Sequence, residues 1–136
     1  MNDIPHFVTD THALVWHLSG NARMSGRRAA IFSDADEGRA WIHDSVISLV
    51  EIVYLTDRRR IDSVVYGQVL NLLSTPNGSY QPVAIDTSIV EAMATIPRDA
   101  VPDMPDRIIA ATARSLGYPL ITADERIHLS GVVEVI

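Results

Sequence analysis

Short apolar runs alternate along this chain with stretches whose apolar residues recur at helical spacing. The first run, His6-Phe7-Val8-Thr9, ends at Asp10 and reads as a strand. A short amphipathic helix is expected from Thr11 to Leu18, broken by Gly20, and a second over 25–37 with an acidic end at Asp34, Asp36 and Glu37. A second strand falls within Arg39–Ile47. From Ser48 to about Arg59 the positions of Leu49, Ile52, Val53 and Leu55 suit a helix, and another fits Ser63–Leu73 before the turn signal Pro76-Asn77-Gly78. Gln81–Ile85 is a predicted strand and Thr87–Ile96 a predicted helix. After a proline-rich loop over 97–105, Asp106–Leu116 forms a strongly apolar helix closed by Gly117. Pro119–Thr122 and Val132–Ile136 complete the set as strands. Such βα alternation predicts an α/β fold with a mainly parallel sheet of about five strands. The carboxyl ends of its strands would border a crevice.

Length and composition narrow this picture. The chain has 136 residues, 47% apolar and 21% charged, which fits one globular domain spanning 1–136. No repeat or linker divides it. Cysteine is absent, so disulfides, zinc–thiolate sites, iron–sulfur clusters and thiol nucleophiles are excluded. All 11 basic residues are arginine, so a P-loop or Schiff-base lysine is excluded too. The start, Met1-Asn2-Asp3-Ile4-Pro5, lacks the basic and apolar regions of a signal peptide, and no run approaches the ~18 apolar residues of a membrane span. A cytoplasmic protein without membrane contact is the expectation. The net charge of −6 is unlike that of a passive nucleic-acid binder, so something other than net charge would have to attract any phosphate, and bound divalent cations are one candidate.

Four carboxylates fall where the crevice would gather them. Asp10 and Asp124 follow strands, while Glu51 and Asp106 lie in the first turns of helices. Each also has a purely structural explanation. Ser48-Leu49-Val50-Glu51 matches a capping box, Asp103-Met104-Pro105-Asp106 matches a helix start, and Asp10 and Asp124 could cap the short helices that follow. The combination is harder to explain in this way. Two carboxylates about 4 Å apart repel by roughly 4 kcal/mol at an effective dielectric of 20. Oxygen-preferring cations such as Mg²⁺ or Mn²⁺ would relieve that repulsion and activate a water.

These residues resemble a known family, the PIN-domain nucleases, and in particular toxins of the VapC type. Val8-Thr9-Asp10-Thr11-His12-Ala13-Leu14-Val15-Trp16 is similar to the family's opening strand and first acid. Ile47-Ser48-Leu49-Val50-Glu51-Ile52 resembles the glutamate segment, and Pro105-Asp106-Arg107-Ile108-Ile109-Ala110-Ala111-Thr112-Ala113 the third-acid helix. Leu120-Ile121-Thr122-Ala123-Asp124-Glu125-Arg126 is similar to the fourth-acid segment. The resemblance implies a PIN-like α/β/α sandwich and a metal-dependent endoribonuclease, with Asp10, Glu51, Asp106 and Asp124 binding Mg²⁺ or Mn²⁺. It also implies supporting hydroxyls at Thr11 and Thr122, Asp103 as a cap or outer acid, a homodimer, and a small antitoxin partner.

Other features weigh less. Arg58-Arg59-Arg60 could guide an RNA backbone or simply complement a helix end. The five histidines show no HExxH or other metal-ligand spacing, although His12 could reach the rim of the site. Trp16 and Trp41 suit core or subunit contacts better than base stacking. A competing enzyme class, the aspartate-nucleophile phosphatases, needs a second acid where His12 stands and a lysine the chain lacks. The non-enzymatic alternative is a catalytically silent α/β interaction module whose acids are caps.

Overall fold

The computed structural model describes residues 3–136. Met1 and Asn2, on which part of the leader reading rests, lie outside the described residues. In chain order the elements are β1 His6–Thr9, α1 Thr11–Ser19, α2 Gly26–Asp36, β2 Trp41–Ser45, α3 Ile47–Asp57 and α4 Val64–Ser74. They continue with β3 Tyr80–Val83, α5 Thr87–Ala94, α6 Met104–Leu116, β4 Leu120–Ile121 and α7 Glu125–Ser130.

Four strands form one parallel sheet in the order β3-β2-β1-β4. Alternation along each strand sends successive side chains to opposite faces. Phe7, Ile42, Tyr80 and Ile121 pack with α1, α2 and α4 on one face, through Leu14, Phe32 and Val69 among others. Val8 and Leu120 pack with α5, α6 and α7 on the other. Helix α6 turns six consecutive buried residues, Ile108–Ala113, into this second layer. The result is an α/β/α sandwich whose parallel sheet is buried on both sides. Pro82 sits in β3, at the sheet edge, where the missing N–H costs no ladder bond. No helix of the described residues is long and apolar enough to cross a membrane.

The expected fifth strand is reduced to a single bridge between Leu120 and Val135, with the Leu120 and Ile136 amides donating to Glu134 and Leu120 carbonyls. The cause lies in β4, which is two residues long. Pro119 before it has no N–H to add to a ladder.

The strand order places the topological switch between β1 and β4, because the chain leaves β1 toward β2 and β3 and returns to its other side. A ligand crevice belongs outside the carboxyl ends at that point. Asp10 directly follows β1, and Asp124 lies three residues beyond Ile121, the last of β4.

Candidate active site

A cavity of about 350 Å³ opens at the switch point, lined by Asp10, Glu51, Asp103, Asp106 and Asp124 together with His12, Trp16 and Ala123. All four acids expected from the sequence therefore line one space, with Asp103 beside them. Helix capping brings in Asp10, Asp103 and Asp124, whereas Glu51 and Asp106 arrive from within helices.

Asp10 caps α1: its Oδ1 accepts the Ala13 amide at 2.8 Å, while its Oδ2 accepts the Thr122 hydroxyl at 2.5 Å. Thr122 Oγ1 in turn accepts the Asp124 amide at 3.0 Å, so one hydroxyl fixes the spacing of the two strand-end acids. Asp124 caps α7 through the Ile127 amide at 3.0 Å. Asp103 caps α6, accepting the Asp106 amide at 3.2 Å, and so leaves the Asp106 side chain uncommitted. Asp10, Asp103 and Asp124 each cap a helix and also line the cavity, so for these three a capping role and a place in the candidate site are compatible.

Glu51 is different. The capping box is not formed, because α3 begins at Ile47 with Val46 as its N-cap and no side-chain cap bond. Ser48 is already inside the helix, where its hydroxyl donates to Asp44 Oδ2. Glu51 therefore turns into the cavity and accepts the Thr11 hydroxyl on Oε1 at 2.5 Å. Both hydroxyls singled out beside the acids, Thr11 and Thr122, thus hold carboxylates.

The electrostatics record the crowding. Burial pushes the Asp10 and Glu51 carboxyls up, against the lowering effect of their hydroxyl partners. Burial, and then the charges of Asp103, Asp124, Glu51 and Asp10, push Asp106 up to about 7. Without a compensating cation Asp106 therefore holds a proton close to neutrality.

Asp44 was not anticipated from the sequence. It pairs with Thr9 across the sheet, is fully buried, and keeps one oxygen, Oδ1, without any hydrogen-bond partner. Burial, with smaller contributions from Asp10 and Glu51, raises it to about 7. A usable signal was present: an acid near the end of a β-rich run, at the same strand end as Asp10.

The arginine run is not part of the cavity. Arg58 caps the end of α3 and Arg59 takes a left-handed conformation at φ 57°. Arg59 and Arg60 border a separate open hollow, and Arg60 reaches a groove beside the acid cavity. His12 does reach the cavity rim.

The donor set consists of carboxylates with solvent-reachable oxygens, which is the chemistry of Mg²⁺ or Mn²⁺ rather than of softer metals. Among the described residues no three acid or histidine side chains close into a ready-made cage.

Comparison with known proteins agrees with this architecture. The PIN domain model matches residues 7–131. Ribonuclease VapC22 of Mycobacterium tuberculosis is 28% identical over 121 residues, covering 89% of this chain and 88% of that protein. The fold is similar to VapBC2 from Rickettsia felis bound to a promoter DNA fragment, with a TM-score of 0.70, 12% identity, and 96% and 97% of the two chains covered. A toxin–antitoxin complex from Klebsiella pneumoniae gives 0.63 at 22% identity, covering 95% and 94%. With the sheet order, the gathered acids and a family match over almost the whole length in accord, the chain belongs to the PIN domain family.

Proposed function

We propose that this protein is a Mg²⁺- or Mn²⁺-dependent endoribonuclease and the toxin of a toxin–antitoxin pair. The observation that carries the reading is the convergence of Asp10, Glu51, Asp106 and Asp124 in one cavity at the switch point of a PIN-family sheet. The similarity to a ribonuclease and to toxin–antitoxin complexes supports the substrate class and the antitoxin partner.

In this reading the four acids hold the cation, with Thr11 orienting Glu51 and Thr122 orienting Asp10. The cation supplies an activated water and charge stabilisation at the phosphate. Asp103 keeps the α6 terminus in place and adds negative field from the rim. Glu51 and Asp106, half-buried and less committed than Asp10, are the groups free to adjust to the cation and its waters. A homodimer is supported by Val50, Val53 and Tyr54, which leave a solvent-facing apolar stripe on α3. A cytoplasmic location follows from the substrate class.

The deciding experiment is cleavage of total RNA by antitoxin-free protein, with Mg²⁺ or Mn²⁺ against EDTA, beside Asp106→Asn. Discrete fragments that need both the metal and Asp106 are expected. Absence of cutting together with absence of metal binding would leave the silent interaction module.

Metal binding itself carries a pH signature. Asp106 holds its proton up to about 7, and Asp10 and Glu51 are also raised, so the cation must displace protons. Mn²⁺ affinity, read from the Mn²⁺-induced rise in Tm, should climb about tenfold per pH unit for each proton displaced below neutrality and level off above it. An affinity flat from acid to neutral pH would contradict the ligand set.

A further inference from the structure

Beside the acid cavity, between α1 and the turn joining α3 to α4, lies a second groove of about 450 Å³. The two spaces share His12 and Trp16, so a chain leaving one enters the other. Trp16, which the sequence favours as a core or subunit contact, is only half-buried and lines both spaces, and the Arg23 guanidinium carbon stands 5.5 Å from its ring centroid. Arg60 approaches the same groove from the far wall, and Leu55 and Ile61 contribute apolar surface. Neither arginine forms an ion pair among the described residues. The one carboxylate on this wall, Asp62, spends an oxygen on the Val64 amide at the start of α4.

We propose that this groove is a nucleotide subsite: a base of the RNA strand lies against the Trp16 indole, and the strand's phosphates meet Arg23 and Arg60. The subsite rests on the ribonuclease reading and adds to it what the acid cavity lacks. Five carboxylates and a net charge of −6 repel a polyanion, so a strand needs cations of the protein's own close to the cut. An aromatic face next to guanidinium groups is the combination that holds single strands, the base by stacking and the backbone by charge. Charge decides between occupants. A groove whose walls carry two guanidiniums without carboxylate ion pairs among the described residues complements phosphate better than it complements the apolar face of a helix.

Trp16 and Trp41 are the only tryptophans, so a Trp41→Phe, Asp106→Asn protein reports Trp16 alone and does not cut. Titrated with a short single-stranded RNA of mixed sequence, its fluorescence is expected to be quenched. In the otherwise unaltered enzyme Trp16→Ala should raise KM roughly 5- to 150-fold, the worth of one stacked base, with kcat little changed and Trp16→Phe largely restoring it. Arg23→Ala and Arg60→Ala should each lower the slope of log affinity against log salt by about 0.7. Cutting by the parent with no quench, and Trp16→Ala at parental KM, overturns the subsite and leaves the nuclease standing. Quenching by RNA without any cutting by the parent removes the nuclease reading and keeps the subsite. Variants that bind RNA normally but no longer bind a protein antitoxin would overturn it in favour of a protein surface.

Discussion

Asp10→Asn is expected to cut RNA on the order of 10³-fold more slowly than the parent, while the metal-free protein melts no lower at about pH 8. The two halves of this expectation come from the same contacts. Asp10 is 6% exposed, and burial raises its pKa. Its charge is thus costly to the metal-free fold above the usual carboxylate range and useful only when a cation is present. Asparagine keeps the shape and the oxygen that accepts the Ala13 amide, so the α1 cap survives. The amide nitrogen cannot accept the Thr122 hydroxyl, a loss of about 1 kcal/mol. Relief of the buried charge beside Asp124 offsets that loss. Rates and Tm values measured with and without Mn²⁺ check this directly. Parental cutting would remove Asp10 from the site, and a collapsed Tm would show the residue to be structural first.

Much of the site was legible because its geometry is local. Asp10 and Asp124 are strand-end residues that cap the next helix, and Asp106 follows an N-capping aspartate and a proline. A βα alternation already places such positions on one side of a parallel sheet. What escaped the sequence depends on contacts between elements. Ser48 and Glu51 have capping-box spacing, yet Ser48 bonds to Asp44 on β2 and Glu51 to Thr11 on α1. Neither partner is visible from within the Ser48–Glu51 segment. Val132–Ile136 has strand composition, but its neighbour β4 offers two residues to pair with. The fold class was set by periodicity, whereas strand number depended on the length of a partner. The Trp16 groove was hidden for a related reason, since its walls come from α1 and from α3 with the turn to α4, which helix α2 and strand β2 separate along the chain.

Asp44→Asn is expected to stabilise the metal-free protein at about pH 8 by roughly 1–3 kcal/mol and to have little effect near pH 4. Asp44 is fully buried, its Oδ1 has no partner, and its pKa is raised from 3.8 to about 7. A raised carboxyl means that the folded state binds more protons than the unfolded state between those two values. Stability therefore falls as pH climbs from about 4 to about 7, and is lowest above that window. A shift of this size corresponds to at most about 4 kcal/mol, part of which asparagine forfeits because its amide gains no certain acceptor. The side-chain oxygen of asparagine still accepts from Ser48, so the tie between β2 and the first turn of α3 persists. Tm measured in EDTA should thus rise by several degrees at pH 8, with the gap to the parent closing as pH is lowered. Saturating Mn²⁺ should narrow that gap as well, because a cation among Asp10 and Glu51 offsets the charges that raise Asp44. A variant less stable than its parent at pH 8, or a gap independent of pH, would mean that Asp44 is ionised and compensated in the folded protein.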